Sequence, residues 1–305
     1  MSVINVNGLT KKYGDFTAVD KISFSVDKGE LIGFLGVNGA GKSTTINMLS
    51  TLLRPDGGRA EVCGCTLGKD DNDIRRKIGI VYQQNCLDDI LTVSENLICR
   101  GIIHGASKAD AKKRLTELCE ILSLKDILKK RYRNLSGGQK RRCEIAAALM
   151  HTPELLFLDE PTTGLDPATR KGVWKAVESL RLNTGMTVFL TTHYMEEAAT
   201  ANRIIIIEKG RIMAKGTPFD LKEKYTSDLV KIYCGENSQI IAERLGAMGV
   251  SAVSREYGLS FEVKHTREAA EPVYSVKDLI DGFEVIQGSM DDVFLNVCGR
   301  EMREV

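Results

Sequence analysis

The sequence predicts an α/β protein built on a mixed sheet, with a helical insert and a small α+β domain behind it. Three observations carry that reading. Short apolar runs ending in glycine, carboxylate or histidine alternate with helix-like stretches, as buried parallel strands and their crossovers do. One glycine-rich loop, Gly36-Val37-Asn38-Gly39-Ala40-Gly41-Lys42-Ser43-Thr44, joins such a run to a helix-like segment. Beyond Leu221 the pattern resets, and residues 236–305 carry 13 acidic and 7 basic side chains, net −6, in a chain whose total is +1. The expected organisation is one large domain over 1–220, its helical subdomain at about 85–150, and an accessory domain over 221–305.

In order, Val3–Leu9 and the alternating Lys21–Val26 read as strands, and Asp27-Lys28-Gly29-Glu30 turns the chain into the buried strand Leu31–Leu35. A helix over Thr45–Leu49 follows the glycine-rich loop, then the turn Arg54-Pro55-Asp56-Gly57-Gly58, a strand over Arg59–Cys63 and another over Ile78–Tyr82. Thr92 and Ser107 stand where helix caps belong, and Leu115, Leu118, Ile121 and Leu122 form an apolar stripe. Leu155–Glu160 is a buried strand with two carboxylates at its end, stopped by Pro161; Pro167 opens a helix reaching about Leu182. Thr187–Thr192 is a strand ending at His193, and Arg203–Glu208 with Arg211–Ala214 is a hairpin across Lys209-Gly210. In the tail, strand, helix, two strands, helix and strand resemble a small ferredoxin-like unit, and Ser289 caps a last helix.

Bulk composition excludes more than it names. A net charge of +1 gives no global field toward nucleic acid. Eight cysteines in 305 residues are not a disulfide scaffold, and Cys63-Gly-Cys65 lacks the companion ligands of a metal site; these read as small reduced core residues in a cytosolic protein. The start Met1-Ser2-Val3-Ile4-Asn5 lacks the features of a signal peptide, and the longest apolar runs are far short of a membrane span, so a membrane role is expected only through a partner.

Two stretches carry chemistry. In Gly36–Thr44 the glycines let backbone N–H groups curl around an anion at a helix start; Lys42 supplies a mobile cation for outer phosphates, and the Ser43 hydroxyl can join a Mg²⁺ shell. Asp159 then suits a Mg²⁺ ligand acting through water, and Glu160 a carboxylate that orients an attacking water. Leu135-Ser136-Gly137-Gly138-Gln139 is a second anion-binding helix start, capped by Ser136, without a lysine. Two such starts in one chain need two nucleotides, or two chains sharing them.

With these residues in order, 1–220 resembles the ATP-binding subunit of an ABC transporter, an ABC-type P-loop NTPase. Gly36–Thr44 matches Walker A, with Gly36, Asn38, Gly39, Gly41, Lys42, Ser43 and Thr44 around ATP; Val37 replaces the usual proline. Leu155–Glu160 matches Walker B, Leu135–Gln139 the signature, Gly164-Leu165-Asp166 the D-loop, and Thr191-Thr192-His193 the switch histidine. Gln83 matches the Q-loop glutamine and would share Mg²⁺ with Ser43 and Asp159; Gln84 leaves the register open by one. Tyr13 stands where the family stacks an aromatic on adenine. The resemblance implies ATP hydrolysis in a head-to-tail homodimer, with Glu160 and His193 catalytic and Ser136, Gly137, Gly138 and Gln139 acting in trans. Asp166 would line the seam.

Tyr13–Asp20, Thr191–Ala198 and the tail Met290–Leu295 resemble the ABC-2 ATPases of drug, antibiotic or sodium exporters. That implies a separate integral membrane permease, no nucleic acid, and a place on the cytoplasmic face of the membrane. Leu87, Ile90 and Leu91 are docking candidates as much as subdomain core. The rival reading, a soluble ABC ATPase of translation or repair, wants a second cassette or a long coiled coil, and the sequence shows neither. An importer ATPase would share the same ATP-site chemistry.

Overall fold

A computed structural model describes residues 2–299, which divide between two compact units, Met1–Lys215 and Gly216–Val305. The first begins with a long antiparallel hairpin, β1 (Ser2–Tyr13) and β2 (Phe16–Asp27), then β3 (Leu31–Leu35) and helix α1 (Lys42–Leu49). Strands β4 (Gly57–Val62) and β5 (Cys65–Thr66) extend the hairpin into a sheet ordered β2-β1-β4-β5. Helix α2 (Asp71–Lys77) leads into β6 (Ile78–Val81). Then come α3 (Val93–Ile103), α4 (Lys108–Ile121) and α5 (Gly137–Leu149), followed by β7 (Leu155–Asp159), α6 (Pro167–Thr184) and β8 (Thr187–Thr192). The short α7 (Met195–Ala198), β9 (Arg203–Glu208) and β10 (Arg211–Gly216) complete the unit.

The second sheet runs β10-β9-β3-β8-β7-β6, with β9, β3, β8, β7 and β6 parallel. Every residue of β3, β7 and β8 is buried, which explains their continuous apolar composition. Phe24 from the antiparallel sheet meets Phe34 and Phe189 at 5.8 and 6.0 Å, and Phe157 meets Phe189 at 5.5 Å. Each such ring contributes about 1.5–3 kcal/mol by leaving water, so this cluster fixes the hairpin against β3 and hence the loop that β3 feeds.

The helical stretch obeys its caps. Thr92 and Glu95 form a capping box at α3, and Ser107 accepts from the Asp110 N–H at α4. Leu115, Leu118 and Leu122 are buried as the stripe requires, while Ile121 is only partly so. Two elements depart from expectation. The first strand runs to Tyr13 because register shifts let it bend and continue. Helix α2 is a single polar pair of turns that buries only Ile74, so no apolar stripe announces it. Of the docking candidates Leu87 is buried, Leu91 is partly so, and Ile90 is 68% exposed. Among the described residues no disulfide joins the cysteines; Cys63 is buried, which pushes its thiol up to about 12.

The second unit opens with α8 (Pro218–Tyr225), whose capping box of Thr217 and Asp220 the sequence reading passed over. Then follow β11 (Asp228–Tyr233), α9 (Ser238–Ala247), β12 (Val253–Arg255), β13 (Gly258–Val263), α10 (Ala270–Ser275), β14 (Gly282–Ile286) and α11 (Met290–Cys298). The sheet order is β12-β13-β11-β14, with every neighbouring pair antiparallel, which is a split βαβ arrangement of the ferredoxin-like kind. Val230, Ile232, Ile241, Leu245 and Phe261 form its core.

Candidate phosphate-binding and hydrolytic site

The loop between β3 and α1 is glycine-rich because the backbone leaves no alternative at two positions. A Cβ on Gly36 would lie 2.4 Å from the Ile207 carbonyl oxygen, and one on Gly41, at φ 107°, would lie 2.6 Å from that of Ala18. Gly41 caps α1 without a side chain, so no capping side chain competes with an anion for the first-turn N–H groups and the positive end of the helix dipole. Asn38, Gly39 and Ser43 are exposed on that face and Thr44 is half-buried. Lys42 is 4% exposed and lies back along the loop, donating from Nζ to the carbonyls of Gly36 (2.8 Å) and Val37 (3.2 Å). This is an anion cradle with one movable cation.

The carboxylates at the end of β7 face this cradle. Asp159 Oδ1 accepts from Thr191 Oγ1 at 2.5 Å and from Ser43 Oγ at 3.2 Å. Glu160 sits one residue past the strand in the left-handed region, φ 46°, and its N–H donates to the Thr191 carbonyl at 3.0 Å. Its Oε1 lies 3.2 Å from Lys42 Nζ. Its Oε2 accepts from Gln83 Nε2 at 3.4 Å and Thr163 Oγ1 at 3.3 Å, with His193 Nδ1 also 3.3 Å away but not aligned as a donor. Lys42, Gln83, Glu160 and His193 therefore meet at one carboxylate. They come from the C-terminal ends of β3, β6, β7 and β8, where open α/β sheets place their ligands.

The other expected residues stand apart. Ser136 caps α5 and forms a capping box with Gln139. The paired glycines split in purpose: a Cβ on Gly138 would lie 2.2 Å from Thr169 Cγ2, whereas one on Gly137 would meet nothing nearer than Leu165 Cδ2 at 3.8 Å. Packing alone thus accounts for Gly138, and only Gly137 is left without a packing reason. Asp166 caps α6 through the Thr169 N–H at 3.0 Å, and that hydrogen bonding holds its carboxyl below the usual range. Tyr13 is 52% exposed at the end of β1, with Lys11 Nζ 5.7 Å from its ring centroid. Among the described residues, no hydrogen bond or ion pair joins Tyr13, Asp166 or Ser136–Gln139 to the phosphate loop.

Arg141 is the middle of three consecutive basic residues, Lys140-Arg141-Arg142, and nothing in the sequence sets it apart. It is 5% exposed and donates to four carbonyls: Pro161, Tyr82 at 2.5 Å, Asp159 at 3.2 Å and Glu160 at 3.1 Å. Burial lowers its pKa, opposed by the charge of Glu144. Glu144, one turn on, accepts at Oε1 from the N–H groups of Cys86 (2.8 Å) and Leu87 (3.1 Å) and from the Tyr132 hydroxyl (2.7 Å). Glu197 was also missed; it accepts from Thr162 and from Thr192 at 2.7 Å, tying the turn after Glu160 to the end of β8. None of the three carries a spacing signal, since each answers groups distant in sequence or hidden by the fold.

Comparison with known proteins agrees with this geometry. Residues 19–163 match the family described as ABC transporter. The daunorubicin/doxorubicin resistance ATP-binding protein DrrA of Streptomyces peucetius is 40% identical over 97% of this chain and 92% of its own length. The linearmycin resistance ATP-binding protein LnrL of Bacillus subtilis is 38% identical over 99% of this chain and all of its own. Among solved structures, the ATP-binding cassette MJ0796, a dimer in a post-hydrolysis state bound to ADP and Pi, superposes with a TM-score of 0.65 at 29% identity. That superposition covers 70% of this chain and 98% of the cassette. A second, cbiO1 from Clostridium perfringens, gives 0.68 at 26% identity over 81% of this chain and 97% of its own.

Proposed function

We propose a transport role from one premise: this chain belongs to the ABC transporter family and is an ATPase subunit of the drug- and antibiotic-exporter type. It drives export of a drug, antibiotic, lipid, ion or similar substrate through a separate membrane permease, working as a homodimer on the cytoplasmic face of the membrane. The observation that carries the hydrolytic half is the convergence of Lys42, Gln83 and His193 on the Glu160 carboxylate beside the phosphate loop. Among the described residues no helix is long and apolar enough to cross a membrane.

The chemistry follows from the groups present. The N–H groups of Gly36–Thr44 and Lys42 hold the outer phosphates of ATP, and Tyr13 stacks on the adenine. Glu160 orients a water for in-line attack on the γ-phosphorus, and His193 and Gln83 contact the γ-phosphate. Ser43, Gln83 and Asp159 supply hydroxyl, amide and carboxylate oxygens within one corner of the site, a hard-donor set that suits Mg²⁺. Mg²⁺ held by these residues would supply neutralisation of phosphate charge, with Asp159 serving it through a water. Ser136–Gln139 lie outside this cluster, so they act on the nucleotide of a second copy, with Asp166 along the seam. The anion-facing N–H groups at Gly137 complete the partner's site.

Glu160→Gln tests the assignment. The variant keeps the shape and loses the base, so it should bind ATP, accumulate an ATP-dependent dimer on gel filtration and release no phosphate. Hydrolysis at the wild-type rate would remove Glu160 from its role.

A further inference from the structure

We infer that Arg141 and Glu144 are positioning residues that connect the two nucleotide sites of the dimer through helix α5. This rests on the composite-site reading above. The helix that begins at the signature glycines ends its first turn at Arg141, about 6 Å of rise beyond Gly137. Arg141 spreads its guanidinium across the ends of two neighbouring strands. It binds Tyr82, the residue before Gln83, and also Asp159, Glu160 and Pro161. Glu144 holds the other side of the same segment by the N–H groups of Cys86 and Leu87. Gln83 is thus bracketed by two buried charged side chains of a single helix.

The consequence is mechanical. A helix is stiff over one turn, so a nucleotide drawing the α5 N-terminus of one copy toward its partner's site also moves Arg141 and Glu144. Those residues hold the backbone that carries Gln83 and Glu160, which serve the copy's own nucleotide. The bond to the Glu160 carbonyl matters most, because Glu160 keeps a left-handed backbone that its neighbours must hold. Arginine is required here and lysine is not equivalent: a single ammonium cannot span from Pro161 to Tyr82. Two charges held by separate sets of backbone groups, rather than by each other, are costly unless every partner is in place.

The test uses the full chain and the substitutions Arg141→Lys and Glu144→Gln, each of which keeps polarity and size. Steady-state ATPase, its Hill coefficient, thermal stability and ATP-dependent dimerisation in the Glu160→Gln background are measured for each. The expected result is kcat lowered about tenfold with KM within about twofold. Cooperativity between the two sites should fall toward a Hill coefficient of about 1, while dimerisation persists. If Glu160→Gln forms ATP-dependent dimers, the wild type is cooperative, and both variants keep the wild-type kcat and Hill coefficient, the link is refuted. If the Glu160→Gln protein itself forms no ATP-dependent dimer, the composite site fails and the link fails with it. A variant that loses stability and activity in proportion, with unchanged cooperativity, assigns these residues to folding alone and also overturns the inference.

Discussion

Replacing the signature glycines one at a time separates packing from chemistry. A methyl on Gly138 would lie 2.2 Å from Thr169 Cγ2, with Thr169 Cβ itself at 3.4 Å. Such overpacking costs about 1–3 kcal/mol, and removing a helical glycine returns at most about 1 kcal/mol. With that return made in full, Gly138→Ala should still destabilise the chain by up to about 2 kcal/mol, a drop of up to about 8 °C for a domain of this size. Thr169→Ala deletes the clashing methyl, so Gly138→Ala in that background should cost nothing. Gly137→Ala meets no atom closer than 3.8 Å and should leave the melting temperature unchanged or slightly raised. In the composite site proposed above, its methyl would stand where the partner's phosphates approach, so ATPase activity should fall steeply. Scanning fluorimetry and a phosphate-release assay on the wild type and these variants decide the matter. Gly138→Ala melting with wild type, or Gly137→Ala hydrolysing at full rate, would refute the division of roles.

Two further outcomes follow from buried charge. Lys42→Ala leaves Glu160, 8% exposed, without its cation, and should lower stability by about 3 kcal/mol while abolishing ATP binding; Lys42→Ala/Glu160→Gln should regain part of the stability, read by urea unfolding without nucleotide. His151 is pushed down from 6.5 to about 4 by burial and by the charge of His104, whose ring lies against it at 3.9 Å. Between those values the unfolded chain takes up a proton that the folded chain refuses, so stability falls as pH falls from 6.5 toward 4. His151→Gln should flatten that slope between pH 7 and 5 in urea titrations, and an unchanged slope would rule His151 out as its source.

Much of this was legible in the sequence because it depends on local pattern. A strand buried on both faces reads as an apolar run, and β3, β7 and β8 begin and end within a residue of where their composition says. Capping pairs such as Thr92 with Glu95 and Ser289 with Asp292 mark helix starts because both partners lie within four residues. What stayed hidden is non-local. Arg141 reads as one more cation on a basic helix turn; only the fold brings four carbonyls from two strand ends to it. Thr191 passes for a strand residue until the parallel register sets it beside Asp159. Gly138 reads as an anion-binding glycine, and only the fold reveals that a Thr169 methyl on another helix also forbids a side chain there.

The left-handed backbone at Glu160 has a consequence for how this position evolves. Holding a residue with a Cβ at φ 46° costs about 1–2 kcal/mol, and glycine or asparagine would relieve it. Removing its carboxylate alone, however, leaves the Lys42 ammonium buried without its partner, a loss of about 3 kcal/mol that outweighs the strain released. A screen for heat-resistant variants would therefore reach Glu160→Gly only together with a change at Lys42, so the ion pair guards the strained carboxylate against drift.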